Sequence, residues 1–131
     1  MPSVLIVEDN ELILASTEHL LRKEGFDIAS ASNGKDASDY LDRIHFDVVV
    51  TDLVMPYVDG RQLIKHIKKD PAKKHTGIIV VSSTKDEEAI VESLALGADE
   101  YLTKPIKPFD LVLRIKRLVE QKAADQQAES E

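Results

Sequence analysis

Along the chain, short apolar runs alternate with stretches in which apolar residues recur every three or four positions. The runs at residues 3–7, 27–31, 47–51 and 77–81, with a weaker one at 100–102, have the length of strands and separate five stretches of helical period. Val48-Val49-Val50 and Ile78-Ile79-Val80-Val81 are apolar at every position, as strands covered on both faces must be, so both are expected at the centre of a sheet. The first helix is expected to follow Asn10 as a cap, to face inward through Leu12, Ile13, Leu20 and Leu21, and to stop before Gly25. The second, residues 35–44, would bury Ala37, Leu41 and Ile44. The third, residues 60–70, would bury Leu63, Ile64 and Ile67 and is stopped by Pro71. The fourth opens on Asp86-Glu87-Glu88, which suits a positive helix N-terminus, carries Ile90, Val91 and Leu94, and ends at Gly97. The fifth follows Pro108 and is expected to run to residue 122.

Strand and helix alternating in this way predict an α/β domain. The expected form is a doubly wound, flavodoxin-like five-stranded parallel sheet in the order 2-1-3-4-5, with five helices. In such a sheet the ligand site lies beyond the carboxyl ends of the strands, where the order reverses. Residues 1–122 are expected to form this one domain. Residues 123–131, with little to bury, read as a polar tail that frays.

Composition narrows the function. With 43% apolar residues in 131, the chain has enough for one continuous core. It has no cysteine, which removes disulfides and thiolate zinc sites and favours a reducing compartment. A net charge of −7 repels phosphate backbones, so direct nucleic-acid binding is not expected. Lys65, Lys68, Lys69, Lys73 and Lys74 read as a solvated helix end. Met1-Pro2-Ser3 and the short run after it lack the features of a signal peptide, no segment has membrane-spanning length, and a cytoplasmic protein is expected.

At the predicted strand ends stand Glu8 and Asp9, then Asp52, Ser82 and Lys104. Alone, Asp9 or Asp52 would read as a cap or loop residue. Together, three carboxylates in one place repel: at an effective dielectric of about 20, a like pair about 4 Å apart costs about 4 kcal/mol. They call for a cation or for raised pKa values, and an all-oxygen set suits Mg²⁺ better than a soft metal. Asp52 could then act as a carboxylate nucleophile at phosphorus, with the cation and Lys104 neutralising charge on the transferring group.

These positions carry a resemblance. Val7-Glu8-Asp9, Thr51-Asp52-Leu53-Val54-Met55-Pro56, Asp59-Gly60, Ser82-Ser83, Gly97-Ala98 and Tyr101-Leu102-Thr103-Lys104-Pro105 resemble, in order and spacing, the receiver domains of two-component response regulators over residues 4–119. The resemblance implies a phosphoacceptor regulator rather than an enzyme acting on a separate substrate, phosphorylated on Asp52 by a histidine kinase or phosphotransfer protein. It implies that Glu8, Asp9, Asp52 and the Val54 backbone carbonyl hold Mg²⁺. It makes Ser82 and Lys104 the phosphate-binding pair, Tyr101 a switch, Val54 and Thr84 modulators of dephosphorylation, and Pro105 the second residue of a cis Lys-Pro turn. Three positions depart from the common pattern: Glu8 for an aspartate, Ser82 for a threonine, and Ile106 for a phenylalanine.

Gly60 is expected to supply a permissive backbone at the entrance to the third helix, and Met55-Pro56 to shape the loop over the pocket. His19, His45, His66 and His75 read as surface or boundary residues. Phe109, Leu111, Val112, Leu113, Ile115, Leu118 and Val119 span more than half of the helical wheel of the fifth helix, wider than one core-facing stripe requires. Two readings follow: a helix buried more fully, or an interface for a homodimer or effector on the face of the fourth helix, fifth strand and fifth helix. Two rival functions are a small aspartate-nucleophile phosphatase, against which Val54 stands where a second carboxylate would be needed, and a degenerate binding module that is not phosphorylated.

Overall fold

The computed structural model describes residues 1–130. Five strands, β1 (Ser3–Val7), β2 (Asp27–Ala31), β3 (Val48–Thr51), β4 (Gly77–Ser82) and β5 (Glu100–Thr103), alternate with five helices. These are α1 (Glu11–Lys23), α2 (Gly34–Arg43), α3 (Gly60–Lys68), α4 (Glu87–Leu96) and α5 (Pro108–Ser130), with a 3₁₀ turn at Pro71–Lys73. All pairings are parallel and the order is β2-β1-β3-β4-β5, as the alternation predicts. No described helix is long and apolar enough to cross a membrane.

The central strands divide the core in two, since successive side chains point to opposite faces. Leu5, Val49, Ile78 and Val80 join α2 and α3 on one side, while Val4, Val48, Val50 and Ile79 join α1 and α5 on the other. In α3 the expected inward set is met in full, with Leu63, Ile64 and Ile67 wholly buried. Asn10 caps α1 by accepting from the amides of Leu12 and Ile13, and Gly25 follows the helix at φ +93°.

Other inward assignments are overturned. Leu12 is 83% exposed. At about 100° per residue it stands opposite Leu21, the buried anchor of α1, and Ile13 also lies off that face. Ile44 is exposed because the backbone is already extended there, so the helical period stops at Arg43. In α4 the buried residues are Ala89 and Ser93, leaving Val91 and Leu94 exposed. Small residues line that inward face, and the Ser93 hydroxyl satisfies itself by donating to the Ala89 carbonyl at 2.8 Å. β3 begins at Val48, one residue later than expected; the Asp47 carboxylate before it accepts from the amide and hydroxyl of Ser3.

α5 does not end near Lys122. It continues through the segment expected to fray, as far as Ser130; Glu131 lies outside the described residues. Ala123, Ala124, Gln126, Gln127 and Ala128 are good helix formers, and Glu129 pairs with Lys74 at 2.9 Å and His75 at 2.8 Å. Phe109 and Leu113 project from the other end of α5 into solvent, so one apolar flank is exposed.

Candidate phosphoacceptor site

β1 and β3 are hydrogen-bonded neighbours, so the residues that follow them emerge side by side at the carboxyl edge. The Asp52 amide continues the ladder by donating to the Val7 carbonyl at 3.1 Å, and the Glu8 amide donates to Ala31 at 3.0 Å. Both side chains remain buried, whereas Asp9 projects outward. One carboxylate oxygen from each of Glu8, Asp9 and Asp52 lies within 4.8 Å of the others.

Lys104 reaches the same point from the opposite side. Its backbone amide donates to the Ser82 carbonyl at 2.9 Å, and the Lys104-Pro105 bond is cis, as the resemblance implies. The Lys104 ammonium donates to Glu8 Oε1 at 2.5 Å and to Asp52 Oδ2 at 2.8 Å. Burial pulls its pKa down, but the bonds and charges of Asp52 and Glu8 prevail and hold it above the ordinary lysine value. The second Glu8 oxygen accepts from the Asn10 amide at 3.1 Å, and Asp52 Oδ1 from the Leu53 amide at 2.7 Å. No donor reaches the Asp9 carboxylate among the described residues.

Three carboxylates against one ammonium leave two negative charges to be matched. That surplus and the all-oxygen donor set fit a hard divalent cation. Glu8 is the buried member of the pair and shares Lys104 with Asp52, while Asp9 is the unpaired one.

Gly60 is required for a reason different from the one expected. Its φ is not positive; instead, a Cβ there would sit 2.3 Å from the Asp52 carbonyl oxygen. The α3 entrance therefore closes directly under Asp52, fixed by a capping box between Asp59 and Gln62.

Ser82 ends β4 and is buried, and its hydroxyl accepts from the Thr84 amide at 3.3 Å. Tyr101, half-buried on β5, donates its phenol to the Thr84 carbonyl at 2.9 Å. No hydrogen bond joins Ser82 to Tyr101 among the described residues; both hold the backbone of Thr84. The resemblance places Thr84 in the modulating set, but nothing in spacing signals that it links the two. The Val54 side chain is 72% exposed, outside the carboxylate cluster. A groove of about 570 Å³ runs between α1 and the β5–α5 connection, with Ile13, Thr17 and Leu20 on one wall and Ile106 and Leu111 on the other. It accounts for part of the unburied α1 face.

Comparison with known proteins agrees with this geometry. The family model described as the response regulator receiver domain matches residues 4–116. The sensory transduction protein RegX3 of Mycobacterium tuberculosis is 37% identical over 119 residues, covering 91% of this chain and 51% of its own. The transcriptional regulatory protein SrrA of Staphylococcus aureus is 34% identical over 116 residues, covering 88% and 47%. The chain thus spans about half the length of these curated relatives. Among solved structures, the receiver domain of Francisella response regulator 1452 matches with a TM-score of 0.86 at 31% identity, covering 92% of this chain and 98% of that one. A CheY-like response regulator receiver domain protein from Methanospirillum hungatei matches with a TM-score of 0.88 at 28% identity, covering 95% and 98%. Fold, acidic edge and relatives agree, and the chain belongs to the receiver domain family of two-component response regulators.

Proposed function

We propose that the chain is a phosphoacceptor switch that takes a phosphoryl group on Asp52 from a histidine kinase or phosphotransfer protein. The observation that carries this reading is the Lys104 ammonium bridging Glu8 and Asp52 beside the unpaired Asp9 carboxylate. Glu8, Asp9, Asp52 and the Val54 carbonyl are the groups that would hold Mg²⁺. Bound there, Mg²⁺ supplies charge neutralisation for the phosphoryl oxygens.

In the reaction, an Asp52 carboxylate oxygen forms a bond to phosphorus as the phosphorus–nitrogen bond of the donor phosphohistidine breaks. The imidazole leaves with the electron pair and takes a proton from water. Lys104 orients Asp52 before transfer and pairs with the phosphoryl oxygens after it. Hydrolysis later returns Asp52 to a carboxylate and releases inorganic phosphate. In this reading the chain assists its own phosphorylation and dephosphorylation, Val54 and Thr84 are the residues that tune the second step, and there is no separate substrate to turn over.

Output follows from the shared Thr84 backbone. A phosphoryl group on Asp52 brings strong acceptor oxygens, toward which the Ser82 hydroxyl turns. The Thr84 amide then loses its acceptor, the loop carrying the Thr84 carbonyl moves, and the Tyr101 phenol must find a new position. The surface of α4, β5 and α5, with Val91, Leu94, Phe109 and Leu113 exposed, is where an effector or a second copy would register that change.

Incubation with Mg²⁺ and acetyl phosphate tests the assignment. One phosphoryl group should add to the intact mass, and none in Asp52→Asn. A wild-type chain that stays unlabelled, or that turns over many equivalents without accumulating label, overturns it.

A further inference from the structure

The loop from β3 to α3 is closed at its base, where the Gly60 amide donates to the Leu53 carbonyl at 2.7 Å next to Asp52. Within the loop, the Val58 amide donates to the Pro56 carbonyl at 2.9 Å, making a three-residue γ-turn around Tyr57. Tyr57 has φ +72°, the hand of γ-turn that is rare and strained for a residue with a Cβ, and it is the one such non-glycine residue among the described residues. The fold gains no packing in return: the side chain is 84% exposed, and its phenol makes no hydrogen bond among the described residues. A glycine would hold the same turn without strain. What tyrosine adds at this point is an aromatic ring at the surface.

We propose that Tyr57 is a positioning residue for the phosphodonor, the ring on which the phosphohistidine protein packs while it delivers to Asp52. The proposal rests on the reading of Asp52 as phosphoacceptor. The donor's phosphoryl group is itself negative and approaches a chain of net charge −7 and a pocket with two surplus negative charges, so charge at the pocket does not draw that group in. Apolar surface beside the pocket is then what can hold the contact, and Tyr57, Val54 at 72% exposure and Pro56 are the exposed apolar residues of the loop that begins at Asp52. Reach agrees: five residues span at most about 17 Å fully extended, and a loop tied at its base spans less. A protein interface of about 800 Å² per partner, centred on Asp52, extends about 16 Å in every direction and covers Tyr57. Tyrosine also offers a large rigid contact at low entropic cost. Since Tyr57 touches neither the breaking nor the forming bond, it acts on docking and not on the chemistry.

The test uses the full chain with Mg²⁺ and, as donors, each autophosphorylated histidine kinase and phosphotransfer protein encoded in the source genome, the fastest becoming the probe. Tyr57→Gly should raise the KM for that donor about tenfold with kcat unchanged, and Tyr57→Phe should stay within about twofold of wild type. Acetyl phosphate should label all three alike, because a small donor needs no docking surface. Relief of strain should raise the melting temperature of Tyr57→Gly by about 3–5 °C. The assignment is overturned by an unchanged donor KM, by a parallel loss with acetyl phosphate, by an unchanged or lower melting temperature, or by a panel in which no protein outpaces acetyl phosphate. Absence of label on wild-type Asp52 from every donor, acetyl phosphate included, would instead overturn the phosphoacceptor reading.

Discussion

The two edges of the sheet treat charge in opposite ways. At the amino edge the carboxylates of Asp47 and Asp99 meet their donors. Asp47 accepts from the amide of Ser3 at 2.8 Å, and Asp99 accepts from the Ile78 amide at 2.8 Å and pairs with Lys122 at 3.0 Å. Buried Thr76 donates to the Phe46 carbonyl at 3.0 Å. At the carboxyl edge Glu8 and Asp52 share a single ammonium, and Asp9 beside them has no partner among the described residues. Burying unmatched like charge costs stability that folding alone never requires. The matched edge serves the fold, and the unmatched edge is where the proposed Mg²⁺ and phosphoryl group would be received.

The contrast is broken most severely by removing the one cation at the acidic edge. Lys104→Met should destabilise the metal-free protein by about 2–4 kcal/mol, since it leaves two buried carboxylates facing each other, and should abolish labelling by acetyl phosphate. Chemical denaturation in chelator measures the first effect and intact mass the second. The effect has a defined pH window. The folded-state pKa of Lys104 is raised above its ordinary value of 10.5, so its stabilisation is fully present below that pH and is lost as pH rises through the folded value. Lys104→Met should lack that alkaline loss.

At the matched edge, Asp99→Ala leaves the Ile78 amide and the Lys122 ammonium without their acceptor. We expect a loss of about 1–3 kcal/mol with labelling of Asp52 retained. A labelling defect as large as the stability defect would show that the two edges are not independent.

Asp9 sharpens the comparison with the opposite sign. Asp52→Asn is the obvious charge removal, but Asp52 faces both the like charges and Lys104, so that change relieves repulsion and loses attraction together. Asp9 has the repulsion without a donor. Asp9→Asn should therefore stabilise the chain in chelator by up to about 1 kcal/mol, the exposure of Asp9 keeping the gain small. It should also weaken Mg²⁺ binding, so that wild type overtakes the variant as Mg²⁺ is raised. Lower stability of Asp9→Asn in chelator would count against the charge surplus.

The same contrast explains what was legible in the sequence. Strand order and α3 could be read because continuous apolar runs and large inward residues such as Leu63 and Ile67 leave few alternatives. The acidic edge was legible because the fold rule places strand ends together before any side chain is seen. α4 misled because its buried face is Ala89 and Ser93, too small to register as apolar period, while Val91 and Leu94 register and lie outside. Tyr57 left no trace because backbone strain belongs to φ, not to composition. The α5 extension was missed because its support is ionic and long-range: Lys74 and His75 precede Glu129 by more than fifty residues.

That extension carries the smallest expected effect. Glu129 is held below the ordinary carboxylate value of 4.5 first by its bond to Lys74 and then by that to His75. A depressed carboxylate contributes stability above its ordinary value and loses it as pH falls through the depressed one. The other charged groups around it are Asp47, His45 and Lys122, which line the same cleft, and none of them replaces Glu129 as a partner of Lys74. Amide exchange in residues 123–130 should therefore accelerate below pH 4.5 before exchange in the sheet does, and Glu129→Gln should show the faster exchange already at neutral pH. The core beneath α5 holds through Leu111, Ile115 and Leu118, so only the last turns should open. If the segment and the sheet open together in acid, Glu129 does not pin this end of α5, and helix propensity alone carries it.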